Sequence, residues 1–157
     1  MSNKIYPIGI QNFEKIRKGG YCYIDKTAWI YQMVKTGSYY FLSRPRRFGK
    51  SLLLSTLEAY FQGKKKLFEG LAIEKLEKDW FKYPILHIDL NTEKYDTPER
   101  LENKLNRTLV EWEKIYGAES AETSLAMRFE GIIQRACEKE GQSVVIPVSY
   151  THLTLPT

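Results

Sequence analysis

Short apolar runs and segments of helical spacing alternate along the chain. The runs at residues 39–42, 83–90 and 143–146 have the length and composition of buried strands. Between them, apolar residues recur every three or four positions, which is the spacing of one helix face. The order strand, helix, strand, helices, strand predicts an α/β fold with a parallel sheet flanked by helices.

Capping and turn residues set the limits of the predicted helices. Asp25 is a good N-cap for a helix over residues 27–35, and Thr97 followed by a proline and an acid begins a helix that Gly117 ends. The apolar face of the helix over residues 27–35 is predicted to consist of Trp29, Ile30, Met33 and Val34. The other predicted helices span residues 13–17, 52–61, 71–80 and 121–139.

The segment SRPRRFGKS joins the first predicted strand to the helix over residues 52–61. A strand, a Gly-Lys-Ser loop and a helix form the setting of phosphate-binding loops, in which backbone N–H groups and the positive helix end converge on an anion. Gly49 permits close approach, Lys50 can reach terminal phosphates, and Ser51 supplies a hydroxyl suited to Mg²⁺. Because Arg44 stands where G-x-x-x-x-G-K-[ST] has its first glycine, the loop must begin differently.

Positive charge is concentrated in the same half of the chain as this loop. The 157 residues carry a net charge of +5, but residues 1–66 hold 13 Lys/Arg against 3 acids, a net of +10. The remaining residues hold 11 against 16, a net of −5. A basic half suits a polyanionic ligand, either a nucleotide or a nucleic acid.

Composition narrows the class of protein. An apolar content of 43% supports a real core, and no apolar stretch of 18 residues occurs, so no membrane span is predicted. The start, MSNKIYPIG, lacks the apolar region of an export signal. Cys22 and Cys137 lie far apart without metal-ligand spacing, which predicts free thiols in a reducing cytoplasm. Two histidines are too few for a His-based metal site.

Three stretches together resemble the predicted AAA-ATPase-like family of bacteria and archaea: YIDKTAWIYQMV, YYFLSRPRRFGKSLLLSTLEAYFQGKKKLFEGLAIEKL and YPILHIDL. The resemblance covers nearly all of residues 6–146, and RPRRFGKSLLLSTL is its most specific block. In that family an arginine in place of the first glycine is usual. The resemblance implies a P-loop NTPase fold that binds ATP and Mg²⁺, and a nuclease-like domain often follows the ATPase.

The resemblance also implies roles for individual residues. The phosphates would be cradled by Arg47, Phe48, Gly49, Lys50 and Ser51, with Ser51 also a ligand of Mg²⁺. Residues 23–27 would pass near the adenine, with a plain helix cap as the alternative reading of Asp25. Asp89 lies at a strand end, where ligands bind in parallel sheets, or is an ordinary hydrogen-bond acceptor. His87 is predicted to be a core histidine.

The end of the chain departs from the family pattern. The third strand should end in the Walker B acids that organise Mg²⁺ and the attacking water, yet no Asp or Glu follows Glu140. No catalytic residue can therefore be identified, and VSYTHLTLPT resembles a translated sequencing adapter. We predict that residues 1–146 are the N-terminal part of an AAA-ATPase-like domain, truncated after the third strand. Residues 147–157 are predicted to be a non-native tail, in which His152 has no role.

Two functions follow from these residues. The first is ATP binding by the P-loop, with hydrolysis by the full-length parent. The alternative is a nucleic-acid-binding module with a degenerate nucleotide loop, in which Arg44, Arg46 and Arg47 contact the phosphate backbone. Three arginines in one turn fit a compact triphosphate better than a duplex. Nucleic acid is also an expected partner of a nuclease-like domain in the parent, and the oligomeric state is not predicted.

Overall fold

The computed structural model describes residues 5–43, 45, 48–91 and 95–150. The chain divides into two compact units, unit 1 (Met1–Phe81) and unit 2 (Lys82–Thr157). Unit 1 contains α1 (Phe13–Lys18), α2 (Thr27–Thr36), α3 (Lys50–Phe61), a 3-10 helix (Lys65–Phe68) and α4 (Ala72–Leu76). Unit 2 contains β1 (Ile88–Asp89), α5 (Pro98–Tyr116), α6 (Leu125–Glu140) and β2 (Val148–Ser149). The described residues therefore form an α/β fold that is mostly helical.

Aromatic side chains form much of the core of unit 1. Phe13 and Phe68 are fully buried, and their ring centroids lie 4.9 Å apart. Trp80 packs against Phe68 at 5.1 Å and against Tyr60 at 5.7 Å. Large rings bury much apolar area each, so four of them hold these short helices around one centre. A hydrogen bond of 2.9 Å from the Phe13 amide to Ser55 Oγ fixes the start of α1 on α3.

The predicted apolar face of α2 is only partly right. Thr27 and Ile30 are buried, and Val34 packs against the core. These three residues are three and then four positions apart, which is the spacing of one helix face. Trp29 is 72% exposed, so its assignment to that face was wrong. It lies two positions after Thr27 and thus on the opposite side of the helix.

Helix α4 is shorter than the predicted helix over residues 71–80. It ends at Leu76 because the side chain of Glu77 turns inward, where its carboxylate accepts hydrogen bonds from Tyr60 Oη at 2.5 Å and the Asp79 amide at 3.2 Å. Lys35 Nζ lies 3.0 Å from Glu77 Oε2. Burial raises the pKa of Glu77, but these contacts outweigh it and hold the pKa below its usual value.

The predicted buried strand at residues 39–42 is wrong in this structure. These residues belong to no strand, and Tyr39 is 97% and Phe41 77% exposed. An apolar run is buried as a strand only when a neighbouring strand and a covering layer are present.

Unit 2 confirms parallel pairing between the second and third predicted strands. Ile88 pairs with Val148 and Asp89 with Ser149, and an isolated bridge joins Ile85 to Val145 in the same register. The paired segment of the third strand begins near the predicted run and continues to Ser149, beyond residue 146. The origin of residues 147–157 is a separate question, and their assignment as a non-native tail stays a prediction.

Two long helices complete unit 2. The predicted helix from Thr97 to Gly117 is confirmed as α5, and its residues Leu109 and Trp112 are buried with Leu86 and Ile132 in the core. Helix α6 begins at Leu125 rather than near residue 121, because the Ser124 side chain caps it by accepting a hydrogen bond of 3.2 Å from the Met127 amide.

Two arginine–carboxylate pairs join α6 to α5 and to the segment between these helices. Arg128 donates from Nε and Nη2 to Glu113 at 2.6 and 2.8 Å, and from Nη1 to Asn106. Arg135 donates to both carboxylate oxygens of Glu122, at 2.6 and 3.1 Å. Hydrogen bonding to Arg128 holds the pKa of Glu113 below its usual range. These side chains are largely buried, so removing one partner of a pair would leave the charge of the other buried without compensation.

In the ranges that the structure describes, no helix combines the length and the apolar content needed to cross a membrane.

Candidate functional site

Gly49 is the N-cap residue of α3, at the turn between the loop and the helix. Its backbone has φ 78° and ψ 16°, in the left-handed region that side chains with a Cβ rarely adopt. A Cβ at this position would meet no atom within 4 Å, so glycine is needed here for its conformation rather than for lack of space. The sharp turn directs the chain straight into the helix, with Lys50 as its first residue.

The first turn of α3 presents its backbone amides outward. The first helical bond runs from the Leu53 amide to the Gly49 carbonyl at 2.9 Å. The amides from Gly49 to Leu52 therefore have no acceptor within the helix and lie at its positive end. No acidic side chain occurs in this first turn, so none of its own residues neutralises that end. This arrangement attracts an anion.

The structure brings Gly49, Lys50 and Ser51 together at one helix start, as the sequence pattern predicts. Phe48 is 62% exposed, Ser51 is exposed and Lys50 is half-buried. Arg47, predicted to contact phosphate, lies outside the described residues. The assignment of these five residues as a phosphate site stays a prediction.

Asp25 acts as a cap for two helices. Its Oδ1 accepts hydrogen bonds from the amide and hydroxyl of Thr27 at 2.8 and 2.7 Å, at the start of α2. Its Oδ2 accepts from the amide of Ala72 at 2.7 Å, at the start of α4. Thr27 Oγ1 in turn accepts from the Ile73 amide at 3.1 Å. Lys26 rather than Asp25 occupies the N-cap position of α2, so the predicted N-cap is borne out only in that the Asp25 side chain accepts from the first amide of the helix.

Replacing Asp25 with alanine is expected to lower the free energy of unfolding by about 1–2 kcal/mol, because two helix starts lose their acceptor. Burial raises the pKa of Asp25, but the hydrogen bonds from Thr27 and Ala72 outweigh it, so the net pKa is lowered. A lowered pKa stabilises the fold above the unfolded-state value of about 3.9, and this contribution is lost as pH falls through the folded-state value. Urea denaturation at pH 7 and at pH 3 measures both effects.

The matched control for this prediction is Asp79→Ala, since Asp79 is an exposed aspartate of the same unit. It should change the unfolding free energy by less than about 0.5 kcal/mol. Equal stability of Asp25→Ala and the wild-type chain at pH 7 would show that the double cap contributes nothing. A difference that is as large at pH 3 as at pH 7 would contradict the role of the ionised carboxylate.

Asp89 and His87 belong to one hydrogen-bonded group at the end of the sheet. Asp89 Oδ1 accepts from the Asn91 amide at 3.0 Å, from Asn91 Nδ2 at 2.9 Å and from Ser149 Oγ at 3.0 Å. Because the Ser149 hydroxyl donates to Asp89, it accepts from His87 Nε2 at 3.0 Å, which assigns the proton to that nitrogen. Burial raises the pKa of Asp89, but its donors outweigh burial and lower it.

This hydrogen-bonded group decides the predictions for Asp89 and His87 and adds one residue that the sequence did not indicate. Asp89 is a hydrogen-bond acceptor, which was one of its two predicted readings, and His87 is half-buried rather than a core residue. Ser149 was missed, because it lies in the segment set aside as non-native. Parallel pairing of the two strand ends was the signal that could have found it. Within the described ranges, no three His, Cys, Asp or Glu side chains are grouped so that they could hold a metal ion.

Comparison with known proteins identifies the family. The model of the AAA-ATPase-like family, described as predicted AAA-ATPase, matches residues 7–150. An uncharacterised protein encoded in the vnfD 5′ region of Azotobacter chroococcum mcd 1 is 41% identical over 150 residues, which cover 94% of this chain. The chain spans only 29% of the length of that relative. No solved structure matches the chain. The chain belongs to the AAA-ATPase-like family of predicted AAA-ATPases.

Proposed function

We propose that this chain binds ATP with Mg²⁺ at the start of α3, in a P-loop NTPase fold. The observation that carries the proposal is the left-handed turn at Gly49, which leads directly into a helix whose first two residues are Lys50 and Ser51. Family membership supplies the choice of nucleotide, because the family is described as one of predicted ATPases.

The groups at this helix start fit a triphosphate. Outward amides and the helix dipole favour phosphate oxygens, and the ammonium group of Lys50 adds a full positive charge to charge-assisted hydrogen bonds. The exposed hydroxyl of Ser51 is an oxygen donor of the kind that Mg²⁺ accepts beside phosphates. When bound, Mg²⁺ would neutralise phosphate charge. The residues of this chain would hold and orient the nucleotide.

A series of nucleotides tests the proposal. Isothermal calorimetry of the chain with ATP, ADP, AMP and adenosine, each with Mg²⁺, should give affinities that fall as phosphates are removed. The reason is that the proposed contacts are to the phosphates rather than to the base. Repeating the ATP titration with EDTA should weaken binding. Adenosine binding as tightly as ATP would contradict a phosphate site, and failure of ATP to bind at all would refute the proposal.

We expect this 157-residue chain to release no phosphate from ATP above background. Hydrolysis by this fold needs an acidic strand end that organises the metal and the attacking water, and β2 ends in Ser149 with no Asp or Glu after Glu140. Phosphate contacts that serve the ground and transition states alike give affinity without turnover. Measurement of phosphate release with Mg²⁺, for this chain beside a longer protein that has acids there, tests the expectation.

We also propose that the full-length parent hydrolyses ATP. Binding of nucleic acid by a nuclease-like domain of that parent is a further proposal. The control in the phosphate-release assay is Lys50→Ala in both proteins. Turnover by the 157-residue chain that is lost in its Lys50→Ala variant would show that another carboxylate does this work, with Asp89 as the first to be tested.

A further inference from the structure

The outer edge of β2 carries a row of backbone groups that the pairing with β1 does not use. On the inner edge, three carbonyls accept hydrogen bonds of 2.8–2.9 Å from the other strand, those of Val145, Pro147 and Ser149. Successive residues of a strand direct their N–H and C=O groups to opposite sides, so the residues between them, Val144, Ile146 and Val148, direct theirs away from β1. Among the backbone hydrogen bonds of the described residues, none uses these outward groups.

Pro147 interrupts the pairing with β1 but leaves the outer row complete. Its nitrogen lies on the side that faces β1, because its own carbonyl accepts from the Ile88 amide. A proline has no N–H, so the ladder is broken between the isolated bridge at Val145 and the paired residues of β2. The outward residues all keep their N–H groups. The proline therefore does not protect the free edge, as a proline at an outward position would.

The side chains of the outer row extend the apolar face of the sheet. The register places Ile146 beside Leu86, on the face that α5 and α6 cover. On the same face, Val148 pairs with Ile88. Leu86 is fully buried, whereas Ile146 is 39% and Val148 46% exposed, so the two helices cover β1 more completely than β2. A strand added beside β2 would remove part of this apolar surface from water.

The absence of charge favours a second copy of the chain as the partner strand. Residues 141–150 contain no Asp, Glu, Lys or Arg. Charged side chains commonly protect edge strands from pairing, and in a two-fold contact each charge would meet the same charge of the other copy. The outer edge of β1 has this protection, because Asp89 belongs to its outward residues. Charge therefore disfavours self-pairing through β1 and leaves the edge of β2 open to it.

We propose that two copies of this chain associate through the outer edges of their β2 strands, which form an antiparallel pair about a two-fold axis. Ile146 would lie opposite Ile146 of the second copy, and Val144 opposite Val148. In this register each outward N–H faces a carbonyl of the other copy, and apolar side chains meet apolar side chains. Val144 and Ile146 precede the predicted non-native tail, so most of the row does not depend on the origin of that tail. The contact lies in unit 2 and does not rest on the proposed binding of ATP.

Sedimentation velocity of the chain from micromolar to millimolar concentration tests for this dimer. Monomer should give way to dimer and to nothing larger, since a two-fold contact is closed. Ile146→Lys is expected to weaken dimerisation by at least about tenfold, because two ammonium groups would face each other across the axis. Ile115→Lys is the matched control, because Ile115 is an exposed isoleucine (57%) on α5 of the same unit, and dimerisation should not change.

Two complementary variants separate the contact from a loss of stability. Chains with Ile146→Lys and chains with Ile146→Glu should each stay monomeric alone and form a heterodimer when mixed. The reason is that the axis places residue 146 of one copy beside residue 146 of the other, where opposite charges attract. No heterodimer in the mixture, with circular dichroism of both variants like the wild type, would overturn the proposal.

Hydrogen exchange of backbone amides places the contact on the strand. Raising the concentration should slow exchange of the outward amides of Val144, Ile146 and Val148. The Val145 amide donates to the Pro84 carbonyl within the chain, so it should be protected in the dilute monomer as well. A chain that stays monomeric at millimolar concentration, assemblies larger than a dimer, or a dimer in which the outward amides exchange as in the monomer would each contradict pairing through β2.

Discussion

Lys50→Ala is expected to weaken binding of ATP with Mg²⁺ by about ten- to a hundredfold, because it removes a hydrogen bond between charged groups. Lys50 is the first residue of α3, next in the chain to the unbonded amides of the helix start. Alanine is a good helix former, so helical content should not change. Calorimetry with ATP measures the affinity, and circular dichroism measures the fold.

The matched control is Lys66→Ala, which removes one exposed lysine from the same basic half of the chain. Its effect on affinity should be less than about twofold, because surface charges farther from the phosphates are screened by salt. Arg47→Ala is expected to cost less than Lys50→Ala, because Arg47 precedes the Gly-Lys pair in sequence and is predicted to be the better solvated of the two cations. Equal affinities of Lys50→Ala and Lys66→Ala would show that Lys50 is not a phosphate ligand.

Arg128→Ala is expected to lower the unfolding free energy of unit 2 by about 2–3 kcal/mol, because it leaves the largely buried carboxylate of Glu113 without its partner. The two hydrogen bonds to Glu113 and the one to Asn106 are lost together. The side chains of Arg128 and Glu113 are 19% and 14% exposed, so some water reaches the pair and the cost falls short of that for a fully dry one. Urea denaturation followed by circular dichroism measures the change.

Glu130→Ala serves as the control, since Glu130 is an exposed residue of the same helix, and it should change stability by less than about 0.5 kcal/mol. Combining Arg128→Met with Glu113→Leu should recover stability relative to Arg128→Ala, because removing both charges leaves none buried alone. A double variant no more stable than Arg128→Ala would contradict this explanation, because neither charge is then left buried without its partner.

Local signals predicted the features that depend on neighbours in sequence. Gly49 before a helical pattern predicted the start of α3, and Thr97 with its proline predicted α5, because caps and turns act within a few residues. The parallel pairing of two apolar runs followed from their order with intervening helices. The Gly-Lys-Ser residues are brought together for the same local reason, since they are adjacent in the chain.

Features that depend on distant partners could not be predicted. The run at residues 39–42 has the composition of a strand, but composition cannot say whether a neighbouring strand is present to pair with it. The end of α4 depends on Tyr60 and Lys35, which hold Glu77 from other helices. The pairing of Arg128 with Glu113 crosses from one helix to another, and no spacing rule within a helix reveals it.

The most direct test of ATP binding at the start of α3 follows the backbone amides by nuclear magnetic resonance. In the ¹⁵N-labelled chain with Mg²⁺, addition of ATP should shift the amide signals of Gly49, Lys50, Ser51 and Leu52 most, because these N–H groups would donate to phosphate oxygens. Lys50→Ala should require a higher ATP concentration for the same shifts. ATP-induced shifts centred elsewhere, with these four signals unmoved at saturation, would contradict the account.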